Sequence, residues 1–299
     1  DPLVVAASVA LTAGMLFLIP FPAEIFNNTL AEHHDQIRAW FRRRRERPPS
    51  TFWERPGGVV LALLVITLLY GFLDPGFGFN PTSLPTFVGL LVGVLITTLG
   101  FALPAMILRR FGGRGWGRWR ALPIALLVGV GCVVLSRLIG FLPGYLYGMV
   151  LALVFAGEVD EKAEANEVIV TALVLLGLAF AAWFGLGAVR ASETSTLSET
   201  IEAGLAMTTV AAFEGLVFGL LPIHGMPGRI LFKSRRWQWA VIWGLALLAF
   251  FHVLVNPQSG YLVDTAVVPV ATTYALLALF SLISVVLWAW FRPRPTRSG

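Results

Sequence analysis

Charge is scarce in this sequence. Only 13% of its 299 residues are Asp, Glu, Lys or Arg, about half the share in a typical soluble domain. A chain so poor in charge cannot clothe itself in a water-compatible surface, which excludes a soluble enzyme and a disordered chain alike. Cysteine is nearly missing. The single Cys132 lies in an apolar run, so internal disulfides and a thiolate metal cluster are excluded. Lysine is reduced to Lys162 and Lys233, which leaves arginine to carry the positive charge. Histidine occurs four times, as His33, His34, His224 and His252. No two of these have the spacing that sets two zinc ligands one helical turn apart, and the adjacent pair His33 and His34 points about 100° apart on a helix. A Walker loop, a dinucleotide fingerprint and a nucleophile elbow are also missing. The expectation is a non-enzymatic protein with no catalytic residue, no cofactor and no metal ligand.

Apolar residues are what the chain has instead: 57% of it is hydrophobic, and the mean hydropathy is +0.78. A spanning helix needs about 20 mostly apolar residues to cross roughly 30 Å of hydrocarbon. Nine runs qualify, at 3–22, 57–73, 84–108, 121–140, 144–157, 168–190, 201–221, 238–256 and 267–291. They predict an all-α polytopic membrane bundle of about nine spans, with 1–299 forming a single transmembrane domain. The run 144–157 is short enough to be re-entrant.

The loops carry the charge unevenly. Placing the loop after the first span in the cytoplasm gathers twenty basic residues on one side and leaves only Arg137 and Arg190 on the other. This positive-inside bias predicts a cytoplasmic membrane, an outside N-terminus and a cytoplasmic C-terminus. The acidic run 158–167 falls among the basic loops. A chain that opens Asp1-Pro2 at an outside terminus further predicts a signal peptide or extracytoplasmic part upstream.

Segment 23–47 reads as an amphipathic helix on the inner leaflet. Thr29 and Glu32 have capping-box spacing, and Phe26, Leu30, Ile37 and Phe41 share a face. Arg42, Arg43, Arg44 and Arg45 follow, placed to contact anionic lipid headgroups. The sequon Asn27-Asn28-Thr29 lies on the wrong side for glycosylation. Arg110, Arg114, Trp116, Arg118 and Trp119 in the loop 109–120 read as an interfacial anchor, not as a nucleic-acid surface.

Ionisable groups inside a bilayer cost several kcal/mol and are functional candidates for that reason. Glu214, His252 and Arg137 qualify. Glu214 and His252 lie on consecutive helices. They read either as a proton-coupled or ligand-binding pair, or as a buried hydrogen bond that fixes helix packing. Arg137 sits near a span end, where snorkelling is the structural reading.

One stretch is distinctive. Phe218-Gly219-Leu220-Leu221-Pro222 ends a span, and Gly225, Pro227, Gly228 and Arg229 follow. With Phe21-Pro22-Ala23-Glu24-Ile25-Phe26-Asn27 and Leu142-Pro143-Gly144-Tyr145, it resembles the actinobacterial FGLLP-motif-containing membrane proteins, a likeness spanning most of the chain. That resemblance implies membrane class and source, and carries no activity. About a dozen residues around Pro222, Gly228 and Arg229 are also similar to the third core helix of the site-two protease superfamily. Pro227 stands where that family has its metal-binding Asp, and Gly219 where it has an Asn. The likeness implies at most a fold whose catalysis is lost.

The leading expectation is a scaffold anchoring an extracytoplasmic domain or partner complex. Two alternatives stand beside it. A transporter or channel would use a polar path near Glu214 and His252 and predicts a cavity beside Glu214. An inactive protease-like protein binding transmembrane segments predicts a groove near Gly219 to Gly228.

Overall fold

The computed structural model describes residues 2–33, 51–74, 76–112, 117–139, 151–154, 160–191, 193, 195–255 and 270–291. Ten helices are present among them: α1 (Pro2–Leu18), α2 (Pro20–Glu32), α3 (Pro56–Gly71), α4 (Leu84–Phe111), α5 (Pro123–Ile139), α6 (Glu161–Arg190), α7 (Thr196–Gly219), α8 (Pro227–Ser234), α9 (Arg236–Ala249) and α10 (Val270–Phe291). One antiparallel ribbon joins β1 (Arg118–Ala121) to β2 (Leu151–Val154), with Arg118 opposite Val154. The chain is a helical membrane-type bundle. Its exposed surface is apolar along the helices: Leu127 is 71% exposed, Leu173 51% and Val92 45%. A surface of that kind suits lipid and not water.

The described residues hold fewer spans than the nine expected. Among the described residues, five helical stretches are long and apolar enough to cross a membrane: Pro2–Glu32, Pro81–Phe111, Glu161–Arg190, Thr196–Gly219 and Arg236–Leu254. Pro56–Gly71 and Leu277–Phe291 are apolar but shorter. The 16 residues of α3 rise only about 24 Å at 1.5 Å each. Within the run 144–157, the described residues are not helical. Its residues Leu151–Val154 form β2, whose backbone groups are spent on β1. Residues 141–150 and 155–159 lie outside the described residues.

The first two helices run almost without a break. Ile19 keeps helical angles, its N–H donates to Met15 O at 3.1 Å, and its carbonyl accepts from Ala23 at 3.1 Å. Thr29 does not open a helix as its spacing suggested. It lies inside α2, buried, with its hydroxyl donating to the Ile25 carbonyl at 2.9 Å. The helix closes on His33, whose ring stacks on Phe291 of α10 at 5.0 Å. His34 and the Arg42–Arg45 cluster lie outside the described residues.

At the centre, α4 and α6 pack on α7. The backbones of α4 and α7 come close because the contact is made by glycine. A Cβ on Gly89 would collide with the Thr200 carbonyl, and one on Gly93 would press on Met207 and the Gly204 carbonyl. Leu175, Phe213, Leu216, Trp243 and Leu247 fill the core beside them. The acidic run expected as a loop is largely the first two turns of α6, from Glu161. Carboxylates suit a helix N-terminus, where the macrodipole is positive. At the other end α7 opens on a capping box: Ser195 Oγ accepts from the Ser198 N–H at 3.1 Å, and Ser198 Oγ accepts from the Ser195 N–H at 2.7 Å. The bundle thus has two ends. One gathers the end of α4, the start of α6, the end of α7 and α8. The other holds Arg190 and the start of α7.

Candidate functional site

The Phe218–Pro222 stretch ends α7 because Pro222 has no N–H to continue it. Leu221 donates to the Phe218 carbonyl at 3.2 Å, a tightened last turn, which leaves carbonyls at 217, 220 and 222 needing donors. Side chains from two other helices supply them. Trp243 Nε1 donates to Val217 O at 2.9 Å, and Trp239 Nε1 to Leu220 O at 2.7 Å. Asn27 of α2, 6% exposed, donates from Nδ2 to Pro222 O at 2.7 Å. Its Oδ1 accepts the His224 N–H at 2.6 Å. Gly225 then reverses the chain at φ +88°, a conformation that other residues rarely adopt. Gly228 lets α8 rest on Leu220, since a Cβ there would collide with the Leu220 backbone. The stretch is therefore a fixed ledge, clasped from α2 and α9.

One turn above it on α7, Glu214 is 4% exposed. Its Oε2 accepts the Tyr70 hydroxyl of α3 at 3.5 Å. A small cavity of about 50 Å³ lies against both, lined also by Thr97, Thr98 and Met207. That volume exceeds the roughly 10–15 Å³ needed to hold a water.

A larger cleft of about 750 Å³ opens below, within the roughly 300–1,000 Å³ span of ligand pockets. It lies between α4, α6, α7 and α8. Thr98, Phe101, Leu151, Gly215 and Gly219 line both cavities, so the two are neighbours with shared walls. Six charged residues line the cleft: Arg109, Glu161, Glu164, Glu167, Arg229 and Lys233. Arg109 Nε donates to both Glu167 oxygens at 3.0 and 2.9 Å, and its Nη2 lies 2.8 Å from Oε2. The two side chains are 12% and 9% exposed, so this fork bolts α4 to α6 in a place shielded from water. Arg229 and Lys233 stand one turn apart on α8, and Glu161 and Glu164 one turn apart on α6. Among the described residues, none of these four is in an ion pair.

The residues singled out in sequence are thus dispersed. Glu214 is in the small cavity, and of the ledge Phe218–Pro222, Phe218 and Gly219 line that cavity while Gly219 and Leu220 line the cleft. His252 is half-buried in the π-helical turn Phe250–Val255 that follows α9, and neither cavity is lined by it. The hydrogen bond to Glu214 comes instead from Tyr70, in an otherwise largely apolar run. Arg137 falls on α5, with its side chain outside the described ones. Arg109, Glu167, Glu164 and Arg229 were not singled out as a set, having been read as loop charges. The acidic spacing 161, 164, 167 was the available signal, because it repeats on one helical face. Among the described residues, no three His, Cys, Asp or Glu side chains are grouped to hold a metal ion. No family model, curated protein or solved structure matches the chain.

Proposed function

We propose that the chain is a non-enzymatic transporter or channel of a cytoplasmic membrane, with a polar path from the cleft to Glu214. One observation carries this reading: the charged 750 Å³ cleft shares its walls with the cavity beside a buried carboxyl in a spanning helix. An intramembrane carboxyl is costly, and a hydrated route is what makes one useful for moving a proton or cation. Glu214 serves as the gatekeeping group, with Tyr70 holding its orientation. The cleft end faces the cytoplasm, as the arginine distribution favours, and the Arg42–Arg45 cluster meets anionic headgroups there.

The scaffold reading draws on missing chemistry and gains nothing from the cleft. The protease-like reading also asks for a groove near Gly219 to Gly228. A wholly apolar groove would suit a transmembrane segment, whereas a cleft with six charged residues among its lining suits a ligand that carries charge.

Reconstituted vesicles with an internal pH dye test the proposal. Wild type is expected to pass protons or a coupled solute above the rate of empty vesicles. Glu214→Gln is expected to lower that rate about tenfold or more, a scale set by the loss of one acid–base group. Vesicles of wild type no leakier than empty ones, across a range of gradients and solutes, would end the reading.

A further inference from the structure

The charges of the cleft fall into two kinds. Arg109 and Glu167 satisfy one another. Glu161 and Glu164 on α6, and Arg229 and Lys233 on α8, line the same space without pairing. Glu164 and Arg229 are both half-buried. Two opposite charges in one partly shielded space attract strongly and close on each other unless something keeps them apart. Here α6 and α8 hold them on separate walls, so the cleft presents an acidic lip and a basic lip at once. Beyond the lips the walls turn apolar, with Phe101, Ala102, Val168, Ala172, Leu175 and Leu216. These lie on α4, α6 and α7, on the stretches long enough to cross a membrane.

A ligand that fits this arrangement needs a cationic group, an anionic group and an apolar part. We propose that the cleft binds a zwitterionic amphiphile. Its ammonium donates to Glu164 and Glu161, its phosphate accepts from Arg229 and Lys233, and its hydrocarbon chain runs along Phe101 and Leu175. A simple anion would leave the acidic lip repelling it. A simple cation would meet the basic lip. An uncharged apolar molecule would cover the half-buried Glu164 and Arg229 without satisfying either. The zwitterion satisfies both lips, and charge-assisted hydrogen bonds to each are the strong kind.

This inference rests on the polar cleft of the proposed function and names its ligand class. The test reads binding alone, so its failure and the failure of transport are separable. The full chain in non-ionic detergent micelles is titrated calorimetrically with three probes: an oleoyl lysophosphatidylethanolamine, the matching lysophosphatidylglycerol, and water-soluble phosphoethanolamine. The ethanolamine lipid is expected to bind one per chain, about tenfold tighter than the glycerol lipid, as one added charge-assisted contact provides. Phosphoethanolamine is expected to bind more weakly than the lipid, because it lacks the chain. Glu164→Gln should erase the preference for ethanolamine over glycerol. Arg229→Gln should weaken both lipids. Exposed Glu161→Gln and Lys233→Gln give the same two directions with less risk to folding. Equal affinity for the two lipids overturns the acidic lip. Equal affinity for phosphoethanolamine and the lipid overturns the apolar wall and leaves a free zwitterion as the ligand. No saturable binding of any probe overturns the inference outright. Saturable binding in a protein that shows no flux keeps this inference and removes the transport reading.

Discussion

Each end of α6 carries an arginine–glutamate pair, and the two pairs look alike by distance. Arg109 and Glu167 approach to 2.8 Å, and Arg190 and Glu202 to 2.7 Å. They differ in their surroundings. The first pair is 12% and 9% exposed and forks through two nitrogens, whereas the second is 39% exposed on both sides and meets through Nε. Each ties α6 to a neighbour, α4 in the first case and α7 in the second. Length therefore does not distinguish a structural bolt from a surface ornament. Burial does, because removing one member of a shielded pair leaves the other charged, dry and alone. The cleft end is thus the end where charge is committed, and the Arg190 end is where it is merely present.

The sharpest way to break this contrast is Glu167→Gln. It should cost about 3–5 kcal/mol of stability, read as a large fall in the midpoint of denaturation by SDS in mixed micelles. A change no larger than at Glu202 would erase the difference between the ends. Next in size is Trp239→Phe, which keeps the aromatic packing and removes the donor to Leu220 O. A buried carbonyl left without a partner costs about 1–3 kcal/mol, and the same titration would register it. If the midpoint did not move, the ledge at Phe218–Pro222 would not depend on its side-chain donors. The smallest effect belongs to Glu202→Gln. An exposed pair is worth about 0–1 kcal/mol, so its midpoint should stay near wild type and respond little to salt. A loss rivalling that of Glu167→Gln would mean that the Arg190 end is shielded in the membrane.

Much of the helical scaffold was legible because apolar runs announce helices, and lipid removes any other way to satisfy the backbone. Span number was less legible. Hydropathy cannot distinguish Leu151–Val154 in a strand from the same residues in a helix, and α3 is apolar yet too short. The site was partly legible. Glu214 stood out because a carboxyl is conspicuous in such a run. Tyr70 did not, since an uncharged hydroxyl in an apolar run carries no pattern. Asn27 looked like part of a sequon, and only tertiary structure brings it to Pro222, nearly two hundred residues away. Glu164, Glu167, Arg109 and Arg229 come from three helices, so their shared cleft exists in no local stretch of sequence.

The central claim is that water reaches Glu214 from the cleft. Substituted-cysteine labelling tests it most directly, using Thr98→Cys in a Cys132→Ser background, because Thr98 lines both cavities. Val174→Cys, 44% exposed on the outer face of α6, serves as the lipid-facing reference. With the protein in sealed vesicles of either orientation, a charged, membrane-impermeant thiol reagent is expected to modify position 98 rapidly and position 174 hardly at all. Equal inertness at both positions would mean that the cavity beside Glu214 is dry, and would contradict the account.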